Sequence, residues 1–158
     1  MDNKSLSASR PNAWVLDFGP GLRAAVGTRV LLQITDHPAL HNIPCTPAHC
    51  RSVFSWQSRL LPVMDMAAAL GGAPLVPHLL VVAGYVAQPG APTSFGALLL
   101  ASPPVAVIAG DEQACSLPEH PAGWSEFAIS CFGHRGDAIP VLHLGRVFSA
   151  VHPADYSG

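Results

Sequence analysis

His37, His41, Cys45 and His49 recur every four residues and are all metal-ligand types. On a helix they would share one face, and imidazole nitrogen with thiolate sulfur is a zinc donor set. Pro38, Pro44 and Pro47 interrupt that stretch and break any such helix, so the spacing fixes no common geometry. No metal or cofactor is assigned. Serine hydrolysis would require a Gly-x-Ser-x-Gly elbow, and the chain has none. Cys45, Cys50, Cys115 or Cys131 with a histidine base would make a small cysteine- or metal-dependent enzyme, a reading kept as the alternative because such pairs meet only in space. Cys131 sits between Ser130 and Phe132 in an apolar, strand-like run and reads as a packed thiol. Asp17-Phe18-Gly19 repeats a kinase tripeptide, but the chain is too short for a kinase and lacks its glycine-rich and catalytic loops. His134-Arg135-Gly136-Asp137 reads as a hairpin turn. No catalytic residue is assigned, and the weight falls on binding.

The elements that must position any binding residues are short apolar segments parted by Gly, Pro and Asp. Strands are predicted near Ala13 to Phe18 and Leu22 to Val26, around a Gly19-Pro20-Gly21 turn. Arg29 to Ile34 fits a strand or a helical turn, since so short a run has no decisive period. The prolines make His37 to His49 an ordered crossover loop. A hairpin follows, with strands Ser52 to Trp56 and Arg59 to Met66 about a tight break at Gln57-Ser58, then a small-residue helical turn closed by Gly71-Gly72. Further strands are predicted at His78 to Gln88, Phe95 to Ala101, Val105 to Ala109, Gln113 to Leu117, Glu126 to Phe132 and Ala138 to Leu144. A short helix is predicted over Leu144 to Val151. Many short strands with few helices give an all-β chain, better divided into two small barrels than built as one sandwich.

Composition narrows the partners. Of 158 residues only 11% are charged while 49% are apolar, and the net charge is −2. That balance fits either apolar surface left over for another protein or simply a well-packed, Ala- and Pro-rich domain. One lysine, Lys4, and seven scattered arginines form no basic stripe, which argues against nucleic-acid binding. The longest apolar run, Leu79 to Ala87, is far short of a membrane span, so no membrane insertion is expected. The polar opening MDNKSLSASRPN lacks a signal-peptide core and reads as a flexible leader over residues 1–12 of a cytoplasmic protein. In that compartment the four cysteines are expected to be reduced, buried small residues rather than a disulfide framework.

Several phrases together carry a family resemblance. Leu31-Leu32-Gln33-Ile34, then Pro38-Ala39-Leu40 and Ile43-Pro44, then Ser55-Trp56-Gln57-Ser58 and Leu60-Leu61-Pro62-Val63-Met64-Asp65-Met66, resemble the first half of a CheW-like domain. Its pattern there is V-x-E-I, a proline-marked crossover, N-[LW]-R-G and x-[LV]-P-V-[VI]-D-L. Phe95 to Ala109 and Ala138-Ile139-Pro140-Val141-Leu142-His143-Leu144 resemble its second half more loosely.

The resemblance implies an all-β fold of two five-stranded SH3-like β-barrel lobes around a shared apolar core, with short helices. It implies one CheW-like domain over residues 13–152, a lobe boundary near 73–78 with strands exchanged between lobes, and a tail over 153–158. It further implies a non-catalytic cytoplasmic adaptor, recruited to membrane-associated receptor arrays. Its partners would be chemoreceptor cytoplasmic tips and the regulatory domain of a CheA-type histidine kinase, in a flagellar chemotaxis or type IV pilus (twitching) system. Two charges usual in the family, a Glu in the first motif and an Arg in N-[LW]-R-G, are replaced together by Gln33 and Gln57. Losing both avoids stranding one charge and leaves two amides able to bond each other. Ser58 stands where the family has a turn glycine, at a cost if φ is positive. The partner groove is therefore assigned to Leu31, Gln33, Ser55, Trp56 and Gln57, with Leu31 on the same strand face as Gln33. The departures mark a divergent member serving a specialised or pilus-type array. A degenerate member that competes for partners without coupling them fits the same residues.

Overall fold

A computed structural model of the chain describes residues 10–149. Strands β1 (Ala13–Asp17) and β2 (Arg23–Gly27) pair antiparallel across the Gly19-Pro20-Gly21 turn, where Gly19 and Gly21 take φ of 119° and 74°. Only glycine occupies such angles without a Cβ clash. The chain then crosses over and lays down β3 (Leu31–Asp36), β4 (Leu40–Asn42), β5 (Ser52–Trp56), β6 (Arg59–Met64), β7 (Leu79–Val86) and β8 (Thr93–Leu100). It returns through β9 (Ser102–Val107) and finishes with the hairpin β10 (Ala128–His134) and β11 (Asp137–Leu142). Three short helices, α1 (Met66–Ala69), α2 (Trp124–Phe127) and α3 (Leu144–Ser149), complete the described residues.

The strands form two curled sheets, ordered β10-β11-β2-β1-β9 and β3-β7-β8-β6-β5-β4. This is the two-lobe, SH3-like arrangement that the family resemblance implies, except that β4 makes the second lobe six-stranded rather than five-stranded. Residues 73–78, where the sequence places a lobe boundary, join α1 to β7 inside the six-stranded lobe. The chain passes between lobes at 28–30 and at Ala101, because β9 returns to pair with β1.

Each barrel has its own apolar interior, and a third core lies between them. Ala13, Val15, Ala25, Val107, Phe132 and Ile139 fill the five-stranded lobe. Phe54, Leu61, Val63, Leu80, Val82, Ala97 and Leu99 fill the six-stranded one. The alternate residues of the same strands, including Leu16, Val26, Met64, Val81, Leu98 and Leu142, meet between the lobes with Trp124, Phe127, Val147 and Phe148 from α2 and α3. A strand buried on both faces is apolar without alternation, as Leu79 to Ala83 is.

Several predicted elements shift. The crossover loop contains β4 and a 3-10 turn at Ala48–Cys50. Strand β9 begins earlier than predicted and includes Pro103 and Pro104, which a sheet-edge strand tolerates. The strand predicted at Gln113 to Leu117 reduces to one bridge, Ala114 with Phe132. The segment predicted as a strand from Glu126 begins with α2, whose turn lets Trp124 and Phe127 both reach the inter-lobe core. Residues 150–151 of the predicted closing helix, the tail 153–158 and residues 1–9 of the leader lie outside the described residues. Asn12, within that leader, exchanges side-chain hydrogen bonds with Ala109 at 2.7 and 2.8 Å.

Candidate functional site

Strands β5 and β6 are joined by the two residues Gln57 and Ser58, with φ of 48° and 63°. Two successive left-handed residues match the natural twist of a hairpin. The turn sets Trp56 directly opposite Arg59 and Ser55 opposite Leu60. Phe54 is buried and Trp56 half-buried against the barrel interior, so the intervening Ser55 takes the outer face with Leu60.

Trp56 Nε1 donates to Gln33 Oε1 at 3.0 Å. Strands β5 and β3 stand four places apart in the sheet order. A flat sheet would separate them by roughly 19 Å at about 4.8 Å per step. The direct contact therefore reports a sheet rolled until its first strand meets its fifth. Gln33 Nε2 donates onward to Thr35 Oγ1 at 3.0 Å, fixing the amide's orientation. The Trp56 ring packs against Phe95 at 5.2 Å with a 49° tilt, and the Arg59 guanidinium lies 4.8 Å from the centre of the Phe95 ring. Such contacts contribute about 0.5–1.5 kcal/mol each.

A bulge in β3 completes the cluster. Leu31 pairs with Ala83 and Gln33 with Val82, so one extra residue is accommodated at Leu32. Leu32 is 48% exposed and leans over Gly84, where an added Cβ would meet its Cδ1 at 3.2 Å and Phe95 Cε1 at 3.4 Å. Leu32, Gln33, Trp56, Arg59 and Phe95 thus form one partly exposed apolar patch with a fixed amide and a cation at its rim.

Of the five residues assigned from sequence, the structure brings Gln33 and Trp56 into contact. Gln57 lies beside them at the turn, exposed and without a side-chain hydrogen bond among the described residues. Gln33 is satisfied by Trp56 and Thr35, so the expected amide pair with Gln57 does not form. Ser55 faces away with Leu60. Leu31 packs against the inter-lobe core, because the bulge breaks the alternation that would have kept it with Gln33. Sequence reasoning missed Leu32, Arg59 and Phe95. A two-residue turn at Gln57-Ser58 would have placed Arg59 opposite Trp56, but nothing local marks the approach of Phe95.

Elsewhere the chemistry is sparse. Among the described residues no group of three or more His, Cys, Asp or Glu side chains could hold a metal ion. His37 meets His78 edge-on at 5.7 Å instead. A cleft of about 390 Å³ on the five-stranded lobe contains His134 and no cysteine, and one of about 200 Å³ contains Cys131 and no histidine. Of the four cysteines expected to be buried, only Cys50 and Cys131 are, whereas Cys45 and Cys115 are exposed. No helix among the described residues is long and apolar enough to cross a membrane.

No protein-family model and no curated protein matches the chain. Among solved structures it is similar to the scaffolding protein TtCheW from Thermoanaerobacter tengcongensis, with a TM-score of 0.67 at 12% identity. The match covers 88% of this chain and 93% of that one. The chain has a CheW-like fold.

Proposed function

We propose that this chain is a non-enzymatic cytoplasmic signalling adaptor that couples chemoreceptor tips to the regulatory domain of a CheA-type histidine kinase, with residues 13–152 acting as one functional unit. The observation that carries this reading is the patch at Leu32, Gln33, Trp56, Arg59 and Phe95, set on a CheW-like fold. It has the composition of a protein-binding hot spot: an aromatic anchor, apolar neighbours and a polar rim. Leu31, Ser55 and Gln57 contribute unequally. Gln57 borders the patch, Leu31 is turned into the inter-lobe core, and Ser55 with Leu60 offers a second, outer contact on the same hairpin. A receptor helical hairpin would lay apolar side chains on Trp56 and Leu32 and an acidic group toward Arg59. The kinase regulatory barrel would meet a different surface, which makes the adaptor bivalent. The replacement of two family charges by Gln33 and Gln57 supports assignment to a specialised or pilus-type array.

The test is co-purification and calorimetric titration with candidate receptor hairpins and CheA-type regulatory domains, each separately and then together. Trp56→Ala should weaken receptor binding by roughly 30-fold or more, the range of an anchor residue, and leave kinase binding unchanged. Binding to neither partner class refutes the adaptor reading. Binding to both at once separates a coupling adaptor from a competitor.

A further inference from the structure

The five-stranded sheet ends at β9 on one side and β10 on the other, and neither edge pairs with the other. After β9 the chain crosses the gap and lies along β10 as a strap. Three contacts hold it there: the Ala114–Phe132 bridge, Gln113 Nε2 donating to the Gly133 carbonyl at 3.3 Å, and Cys115 N–H donating to the Cys131 carbonyl at 3.0 Å. Cys115 and Cys131 are therefore directly opposite in an antiparallel ladder, where Cα atoms stand about 5.5 Å apart. That separation is in the middle of the range a disulfide spans. The side chains converge as well, with the two Sγ atoms 3.2 Å apart. Cys115 is exposed and Cys131 is buried.

We propose that Cys115 and Cys131 form a reversible disulfide, driven by hydrogen peroxide, that pins the strap across the β10 edge. The geometry divides the roles. Cys115 can meet peroxide in solvent. Cys131 is far less accessible, with 5% of its surface exposed at the wall of a cleft, and burial, followed by the hydrogen bond and charge of Cys115, pushes its thiol up to about 12, so it stays protonated until called upon. In the first step the Cys115 thiolate attacks one peroxide oxygen. The O–O bond breaks, hydroxide leaves and takes up the proton that Cys115 had released, and Cys115 becomes a sulfenic acid. In the second, Cys131 Sγ attacks that sulfur. The S–S bond forms, the S–O bond breaks, and the hydroxyl leaves with the Cys131 proton as water. Two thiols and one hydrogen peroxide give one disulfide and two waters, the thiols losing the two electrons that peroxide gains. A small dithiol reverses it by exchange. In the reduced chain only the bridge, the Gln113 and Cys115 bonds and the thiol–thiol contact hold the strap, so it can lift from the β10 edge. In the oxidised chain it cannot.

The experiment is a peroxide titration of the full, fully reduced chain, followed by alkylation and digestion with a glutamate-specific protease. Cleavage after Glu112, Glu119 and Glu126 separates Cys115 from Cys131. The expected product is the 113–119 peptide joined to the Cys131 peptide, released by reductant, with two of the four cysteines lost to alkylation. Amide exchange at Cys115 should slow by at least tenfold on oxidation. In Cys131→Ser, Cys115 should accumulate as a sulfenic acid trapped by dimedone. In Cys115→Ser, changed at an exposed position, Cys131 should remain a thiol at the same dose. The proposal is overturned if Cys115 and Cys131 are both still alkylated at a dose that oxidises the exposed Cys45, or if Cys115 is found joined to any thiol other than Cys131.

Discussion

Gly96 lies on β8 where the closing helix docks, and replacing it with alanine tests how tightly the two lobes are fastened. A Cβ built there would stand 2.4 Å from both Cε1 and Cζ of Phe148 and 2.8 Å from Cδ1. Ordinary contact begins near 3.4 Å, so the ring must retreat by about 1 Å. It has little room, because it is buried in the inter-lobe core and stacks on Tyr85 at 5.3 Å with the planes only 17° apart. Two effects oppose. Alanine lowers the entropy of the unfolded chain and, if it fitted, would stabilise by about 0.4–1 kcal/mol. Overpacking of a tight core costs about 1–3 kcal/mol. The clash involves three ring atoms rather than the tip of a flexible chain, so overpacking wins. Gly96→Ala should lose about 1–2 kcal/mol net, lowering Tm by roughly 2–8 °C for a chain of this size. Urea unfolding followed by tryptophan fluorescence gives the midpoint. The companion variant Phe148→Leu frees space, and in the double mutant Gly96→Ala should become neutral or stabilising, a coupling of at least about 1 kcal/mol. A neutral Gly96→Ala in the wild-type background, or an additive double mutant, would refute the docking argument.

Other consequences can be read with the same unfolding assay. Ser58→Gly relieves a left-handed serine at φ 63° and should stabilise the hairpin by about 0.5–1 kcal/mol; a loss of stability would show that Ser58 does more than occupy the turn. The buried Asp65 accepts from Ala68 N at 3.1 Å and from Leu75 N at 2.8 Å, capping α1 and tying down the segment that follows it. Asp65→Ala leaves both donors unsatisfied and should cost about 2–4 kcal/mol, with Asp65→Asn losing about half as much. Tyr85 has its phenol raised above 10.0, chiefly by burial and against a lowering hydrogen bond from Ser94. The folded state thus resists ionisation, so its contribution is complete below pH 10 and is lost as pH rises through the folded value. Urea midpoints at pH 8 and pH 11 should fall further for wild type than for Tyr85→Phe, and equal falls would sink the assignment.

Local chemistry made much of this architecture legible. Glycines at 19 and 21 and the Gln57-Ser58 break announced their turns, and the apolar runs between them announced strands, because turn angles and side-chain alternation are properties of a few adjacent residues. What the sequence misplaced depends on neighbours distant along the chain. Pro103 and Pro104 look like a break until β9 is known to be a sheet edge, where a missing N–H costs nothing. Phe127 looks like a strand residue until the inter-lobe core is seen to need it on the same side as Trp124. The candidate site shows the same division more sharply. Trp56 and its hairpin partner were readable, since a two-residue turn fixes register. Leu31 was chosen beside Gln33 by counting in twos, and one extra residue in β3 defeats that count. The bulge turns Leu31 into the inter-lobe core and brings Leu32 to the surface beside Gln33 and Phe95. It can do so because Gly84, some fifty residues further on, has no side chain to block it. A bulge and the glycine that receives it must therefore be read as one feature. That pairing is what shapes the rim of this patch.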